Sequence, residues 1–314
     1  MKTTISQSIR MFPVLSAIVL ALSADAAEEP CVVSARFMQI ADQQDALADL
    51  NVALANANNG ATADARESAA KRAARNYKIA LEDVRKQFIA RRKLCHALGE
   101  VRYNPKIDPA NFLSPGKTAA DPNPLFPLVP GTTYNYRTVD AEGTETIAFE
   151  VTHRTRKILG VTCTVVHDAV LLDGSLIEDT DDWFAQDRDG NVWYFGESTA
   201  EYEGGLIINT HGAWEAGVGG AKAGIIMLAH PKVGQTYRQE LSLGVAEDAA
   251  EVLALDKNVT VAAGNYSNCL KTRDFTPTEP GVAEHKFYAP GIGNVLVINP
   301  TSGKRTELIS VVTE

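Results

Sequence analysis

The sequence predicts an α+β protein in which an N-terminal antiparallel helical hairpin is followed by a large antiparallel β-domain, built as a curved sheet, half-barrel or open barrel. Residues 32–98 are rich in helix-forming residues, with apolar side chains at helical spacing. Seven of the fourteen prolines fall between residues 101 and 130. From residue 131 onward, short alternating or apolar runs are separated by glycine-containing turns, which is typical of antiparallel sheets.

These observations divide the chain into four parts. We expect a signal peptide over residues 1–26, the helical hairpin over 27–100, a proline-rich linker over 101–130 and the β-domain over 131–314. The linker is predicted to be neither helix nor central strand, because proline fixes φ and lacks an N–H donor. The β-domain contains thirteen candidate strands and no repeat period.

The first 26 residues have the three parts of a cleavable secretory signal. Lys2 and Arg10 are positive, residues 11–22 form a short apolar run, and Ala24-Asp25-Ala26 is a small-residue cleavage site. The run is too short for a stable membrane anchor, so we expect an exported protein, periplasmic or secreted, with no stable membrane span in the mature chain. Cleavage takes the net charge from −9 to about −10, and so acidic a protein is a poor partner for nucleic acid.

Apolar residues form one stripe on each predicted helix. The first stripe is Phe37, Ile40, Leu47, Leu50 and Leu54, and the second is Tyr77, Leu81, Val84, Phe88 and Cys95. Residues 56–64 between them are turn-like, with Asp64 as a candidate N-cap. We expect the stripes to pack on each other. The hairpin then acts either as a clamp or lid on the rest of the fold, or as a docking arm.

The chain has four cysteines, Cys31, Cys95, Cys163 and Cys269. An even number in an exported protein predicts two disulfides, and no Cys/His spacing indicates zinc. Cys31 and Cys95 lie at the open ends of the two helical arms, where a disulfide would clamp the hairpin. Cys163 and Cys269 both fall on predicted strands that a second disulfide could join. Four cysteines allow three pairings.

Residues 179–217 contain all three tryptophans and are the most informative segment. Asp189-Gly190 predicts a two-residue hairpin turn, which fixes a strand register. In that register three pairs share one face of the sheet: Gln186 with Trp193, Phe184 with Phe195, and Asp182 with Glu197. A second turn at 204–205 returns the chain and places Trp214 beside Phe195.

This face predicts a ligand site with aromatic walls and two carboxyl groups. The candidate ligand-binding residues are Trp193, Phe195, Trp214, Asp182, Glu197 and Arg238, the last alternating with Glu240 on one strand. Such a pocket could bind a sugar or a metal, or hydrolyse a substrate with two carboxylates, the catalytic candidates being Asp182, Glu197 and His211. The alternative is an aromatic core whose acids reach water at its rim.

Evidence for a metal or cofactor is weak in the sequence. Asp187 and Asp189 resemble the start of a calcium loop, and His230 and His285 lie in glycine- or proline-flanked segments. No metal-binding histidine spacing, nucleophilic serine motif, phosphate loop or dinucleotide motif is present in the sequence. Residues 246–251 read as a solvated acidic turn or, less readily, an ion site. The sequence therefore identifies no cofactor.

The C-terminal part resembles exported bacterial β-sheet proteins. NVTVAAGNYSNCLKTRDF (258–275) and EHKFYAPGIGNVLVI (284–298) resemble a strand ending in an Ala-Gly turn, a cysteine strand, and Y-A-P-G-x-G before a final strand. WYFGESTAEYEGG with GAWEAG and AGIIM is similar to a recurrent, uncharacterised exported domain. The resemblance covers roughly the last 180 residues and implies a curved half-barrel like those of periplasmic lipoprotein carriers, with no catalytic residue to transfer.

Three classes of function follow from these observations. We expect an exported binding protein that holds a ligand on an aromatic and acidic concave sheet face. The alternatives are a hydrolase that uses paired carboxylates with or without a metal, and a non-enzymatic envelope protein that docks through its helical hairpin. The partner is accordingly a small molecule or another envelope component, and the sequence does not decide whether the protein is an enzyme.

Overall fold

The computed structural model describes residues 29–99 and 102–314, so the predicted signal peptide lies outside the described residues. The predicted fold class is confirmed, because two long helices precede one large antiparallel sheet that stays open. Within the described ranges, none of the helices has the length and apolar character needed to span a bilayer.

The two helices form the predicted hairpin. Helix α1 spans Pro30–Asn58 and helix α2 spans Ala63–Leu98. The N-cap of α2 is Thr62, whose hydroxyl accepts a hydrogen bond from Ala65 N at 3.2 Å, and not Asp64, which lies in the first turn. Gly99 ends α2 in the left-handed conformation. The predicted disulfide between Cys31 and Cys95 is confirmed and joins the open ends of the hairpin.

A buried ion triad fixes the hairpin to the β-domain. Arg91 of α2 is only 4% exposed, and its guanidinium contacts Glu247 Oε1 and Asp42 Oδ2, each at 2.8 Å. Glu247, 2% exposed, also accepts a hydrogen bond from Gly244 N. The acidic stretch 246–251 is therefore not a solvated turn, because its first acid is the buried anchor of the hairpin. This contact supports the interpretation of the hairpin as a clamp.

Removing one member of this triad leaves a buried charge without its partner. We expect Glu247→Ala to lower the free energy of unfolding by about 3–5 kcal/mol, because Arg91 keeps only Asp42. The matched control is Glu67→Ala, which removes the exposed pair with Lys71 and should change stability by less than about 1 kcal/mol. Urea unfolding followed by circular dichroism measures both, and equal effects would contradict the anchoring role.

The proline-rich segment packs against the sheet. It contains a 3₁₀ turn, Pro109–Asn111, and a short helix α3, Pro115–Ala120. Leu113 N donates to Gln186 O at 2.9 Å, and Gly291 N donates to Pro124 O at 2.7 Å. These hydrogen bonds join the segment to two distant parts of the sheet.

The sheet has fifteen strands. They are β1 Thr132–Val139, β2 Thr144–Ile158, β3 Val161–Leu172, β4 Ser175–Gln186, β5 Val192–Glu203, β6 Leu206–Asn209, β7 Trp214–Glu215, β8 Lys222–Met227, β9 Thr236–Arg238, β10 Glu240–Leu241, β11 Ala249–Val261, β12 Gly264–Phe275, β13 Ala283–Ala289, β14 Gly293–Ile298 and β15 Arg305–Thr313. The order is β10-β8-β5-β4-β3-β2-β1-β15-β14-β13-β12-β11-β9, with β6 and β7 beside β5. Strand β8 was not among the candidate strands.

Both edges of this sheet meet the same six-residue segment. Thr236–Arg238 pairs with β11 at one edge, and Glu240–Leu241 pairs with β8 at the other. Residues 236–238 and 240–241 are separated by a single residue, so the two edges with which they pair must lie close together. The sheet therefore curls round on itself. Gly224 permits this approach, since a Cβ there would lie 2.4 Å from the backbone carbonyl of Gln239.

The predicted disulfide between Cys163 and Cys269 is wrong. Both are free and buried, on β3 and β12. Five strands separate β3 from β12 in the sheet order, whereas a disulfide needs Cα atoms within about 7 Å. Burial raises the pKa of the Cys163 thiol to about 12, so this cysteine stays a protonated core residue.

Candidate functional site

The hairpin of β4 and β5 differs from its predicted register near the turn. Gln186 pairs with Val192, Ala185 with Trp193 and Phe184 with Tyr194, one residue away from the expected partners. The cause is the turn, in which Asp187 N donates to Asn191 O and Gly190 N donates to Asp187 O, giving a three-residue loop instead of a two-residue one.

A β-bulge then restores the predicted pairing. The register shifts between Asp182 and Phe184, and Asp182 faces Glu197 as expected. The extra residue is accommodated at Gly196, which has φ 130° and whose added Cβ would meet Trp214 O at 2.2 Å. The bulge lets Tyr194 and Glu197 reach the same side of the sheet, although residues three positions apart on a regular strand point to opposite sides.

The register change takes Trp193 and Phe195 off the acidic face. Trp193 is half-buried on the other side, where its Nε1 donates to Asp187 Oδ2 at 2.8 Å. Phe195 lies in the core against Phe112, with ring centroids 5.4 Å apart. Trp214 is buried behind Tyr194, with its ring edge-on at 5.4 Å. The expectation that Trp193 and Phe195 share a ligand face with Asp182 is therefore wrong. Trp214 does lie on that face, because it pairs with Glu197, but it packs behind Tyr194.

The interior of the curled sheet holds a cavity of about 480 Å³. Its carboxyl groups are Glu145, Asp168, Asp182, Glu197, Glu240, Asp248 and Glu284. Its rings are Phe126, Tyr134, Tyr136, Phe149, Phe184, Tyr194 and Tyr288. The volume is within the range of small-molecule sites, and the wall combines apolar rings with convergent polar groups, as such sites do.

Tyr194 connects the two predicted acids. Its hydroxyl lies 2.5 Å from Asp182 Oδ1 and 3.0 Å from Glu197 Oε2, while its ring stacks on Phe184 at 4.7 Å. A phenol has one proton to donate, so both contacts are hydrogen bonds only when one carboxyl group carries a proton of its own. Burial, reinforced by neighbouring carboxylates, raises the pKa of Asp182 and of Glu197 to about 8.

Three further acids of the wall were missed by sequence reasoning or assigned elsewhere. Burial, helped by Glu178 and Glu197, raises the pKa of Asp168 to about 7. The pKa of Glu240 is raised well above its ordinary value by burial and by Asp248, whose own pKa is raised by burial. At neutral pH burial therefore keeps much of this wall protonated.

One lysine faces these acids among the described residues lining the cavity. Lys286 Nζ lies 3.4 Å from Asp274 Oδ2 and 3.6 Å from Glu284 Oε2. Although burial opposes its charge, these carboxylates and Asp248 raise the pKa of Lys286, which stays an ammonium group. Gln239, at the crossing between the sheet edges, donates to Asp274 Oδ2 at 3.0 Å and completes this polar side of the wall.

The remaining predicted site residues lie away from the cavity. Arg238 lies under the hairpin, where its guanidinium approaches Cys31 Sγ at 3.6 Å and the Tyr103 ring at 5.5 Å. Arg238 and Glu240 lie in different surroundings because the chain changes its pairing partner between them. Arg238 pairs with β11, and Glu240 pairs with β8. His211 is exposed in the loop after β6.

The residues proposed as metal ligands are either hydrogen-bonded within a turn or located on separate elements of the fold. The Asp187 carboxylate accepts hydrogen bonds from Asp189 N, from Asn191 N and Nδ2, and from Trp193 Nε1, so it shapes the turn. His285 lies on β13, where burial lowers its pKa, and His230 lies in the loop before β9. Across residues 29–99 and 102–314, no three His, Cys, Asp or Glu side chains gather closely enough to hold a metal ion.

Comparison with known proteins gives no family for this chain. No family model matches the sequence, and no curated protein matches it. Among solved structures, the crystal structure of a putative lipoprotein from Parabacteroides distasonis aligns with a TM-score of 0.32 and 12% identity, covering 60% of this chain and 98% of that one. At this TM-score the likeness supplies neither a fold family nor a function, so the function is argued from the cavity.

The raised carboxyl pKa values predict a pH-dependent stability. Asp182 ionises near 3.8 when unfolded and near 8 when folded, so between these values the native state binds more protons and stability falls as pH rises. Asparagine stays neutral and can still accept the Tyr194 hydrogen bond. We expect Asp182→Asn to raise the melting temperature by roughly 2–5 °C at pH 8.5 and by less at pH 5.

The matched control is Asp181→Asn, one residue along β4. Its carboxylate is on the outer face and pairs with Arg154 at 2.6 Å. Differential scanning calorimetry from pH 5 to pH 9 should show no pH-dependent gain for this variant. The same gain in both variants would mean that burial in the cavity is not its cause.

Proposed function

We propose that this protein is an exported binding protein that holds a small molecule inside its curled sheet. The observation that carries the proposal is the interior cavity of about 480 Å³, walled by rings and shielded carboxyl groups. A fold selected for stability alone would fill this space or replace its acids, since buried carboxyl groups lower stability at neutral pH. Such groups are retained where a ligand uses them.

Export is supported by two independent features. Residues 1–26 have the composition of a secretory signal, and Cys31 and Cys95 form a disulfide, which persists in oxidising compartments. The curled sheet with an interior cavity is also the arrangement that the resemblance to periplasmic lipoprotein carriers implies. We include a carrier-like role, in the periplasm or outside the cell, in this proposal.

A cavity-filling substitution tests the proposal. Ile226 of β8 lines the cavity, whereas Ile225, its neighbour on the same strand, pairs with Trp193 away from the cavity wall. We expect at least one compound in a panel of cationic, anionic and neutral metabolites to raise the melting temperature of the wild type. A ligand at one hundred times its Kd stabilises by about 2.7 kcal/mol, a shift of several degrees.

The same compound should not shift Ile226→Phe, while Ile225→Phe should respond as the wild type does. Native mass spectrometry of the wild type with that compound should show one bound molecule per chain. A panel in which nothing shifts the wild type, or in which Ile226→Phe responds equally, would overturn the proposal.

A hydrolase is the second candidate, because Tyr194 joins two carboxyl groups whose pKa values are both about 8. A protonated carboxyl group at neutral pH is what a general acid requires, and a neighbouring carboxyl group that loses its proton near pH 8 could act as the base. Incubating the bound compound with the protein separates the two functions. Recovery of the compound unchanged supports binding, and turnover that Asp182→Asn abolishes supports hydrolysis.

A further inference from the structure

The charge on the cavity wall is unbalanced. Seven carboxyl groups and the ammonium group of Lys286 line it, and that ammonium already lies within 3.6 Å of Asp274 and Glu284. Within the described residues, no ion pair joins Asp168, Asp182, Glu197 or Glu240 to a basic side chain. Lys286 offsets the charge of Asp168 only in part, because its ammonium group is shared with Asp274 and Glu284, so a cation inside the cavity would stabilise these acids when they ionise.

One of these acids has a carboxyl oxygen that accepts no hydrogen bond from the described residues. Asp168 Oδ1 is shielded from solvent and has no hydrogen-bond partner within the described residues, although Asp168 lines the cavity. Buried carboxylate oxygens are nearly always paired, and an unpaired one raises the free energy of the folded state. An N–H donor or a positive charge in the cavity would satisfy Asp168.

Aromatic faces lie between the carboxyl groups. Phe184 and Tyr194 stack at 4.7 Å beside Asp182, and Phe149 is edge-on to Phe126 and to Tyr134, each at 6.2 Å. The negative face of an aromatic ring attracts cations, most strongly where water is excluded. A wall that holds both rings and carboxyl groups suits a cation carrying apolar groups.

We infer that the ligand of the interior cavity is an organic cation, a molecule with an ammonium group that lies between Asp168, Asp182 and Glu197 and an apolar part that packs on Phe184, Tyr194 and Phe149. This inference rests on the proposed binding function and adds the chemical class of the ligand. The acids lie on the adjacent strands β3, β4 and β5, so they form one acidic patch of the wall on which an ammonium group can lie.

Cation binding must displace protons from this wall. The charged and titratable groups that face Asp182 across the cavity or along its strands are Asp168, Glu178, Asp181, Tyr194, Glu197, Glu240 and Lys286. In the empty cavity, Asp168, Asp182 and Glu197 ionise near pH 7–8, and a bound cation favours their ionised forms. Affinity for a permanent cation should therefore rise with pH through this window.

A permanent cation and its uncharged isostere test the inference. Choline and 3,3-dimethylbutan-1-ol have nearly the same shape, and only choline is charged at every pH. In isothermal titration calorimetry with the mature protein, we expect choline to bind at least tenfold more tightly than the alcohol at pH 8.5. We also expect choline to bind at least about tenfold more weakly at pH 6, because at least one proton must then be displaced.

The variants assign the effect to the cavity. Asp168→Asn and Asp182→Asn should each weaken choline binding at least tenfold, while Asp181→Asn, on the outer face, should change it less than twofold. Equal binding of choline and the alcohol, equal losses in all three variants, or no choline binding would overturn the inference. If neutral or anionic compounds from the panel shift the wild type but not Ile226→Phe, the ligand class is wrong and the binding function stands. If no compound does so, both are wrong.

Discussion

The rest of the structure depends on the segment 236–241, which pairs with both edges of the sheet. Without that crossing, the antiparallel strands could form a flatter sheet, and the acids that now line the cavity would face water. With it, β8 and β11 are held close together, and side chains from strands as far apart in the sheet as β8, β3 and β13 face one interior. Glycine at position 224 makes the approach sterically feasible. The shielding of Asp168, Asp182 and Glu197 follows from this curvature.

An interior of protonated acids lowers stability at neutral pH, so other contacts must offset it. Two of them act at the same place, where the hairpin meets the chain around the crossing. The Arg91–Glu247–Asp42 triad ties α2 to the loop before β11, and the Cys31–Cys95 disulfide lies beside Arg238 of β9. The hairpin therefore stabilises the segment that closes the cavity. In this way an N-terminal helical element supports a site that is formed by strands far away in the sequence.

The sequence predicted the fold class well because helical spacing and turn glycines are local signals. It also predicted the Asp182–Glu197 pair, because the turn and the bulge each shift the register by one residue and cancel from that pair to the far end of the hairpin. The glycine inside β5, Gly196, was the available signal for the bulge, and with it Tyr194 would have replaced Trp193 on the acidic face. Glu240 and Asp248 could not be placed, because their approach to Asp182 depends on which edges of a fifteen-stranded sheet meet. The second disulfide failed for the same reason.

The central claim is that the sheet curls until several carboxyl groups lose contact with bulk water. Carboxyl ¹³C NMR titration of protein labelled at Asp and Glu measures this directly, with resonances assigned by Asp168→Asn, Asp182→Asn and Glu197→Gln. We expect one midpoint near pH 7 and two near pH 8, each removed by its own substitution. Titration of all three groups at the ordinary carboxyl values of about 4 would show a solvated, open face and would contradict the account.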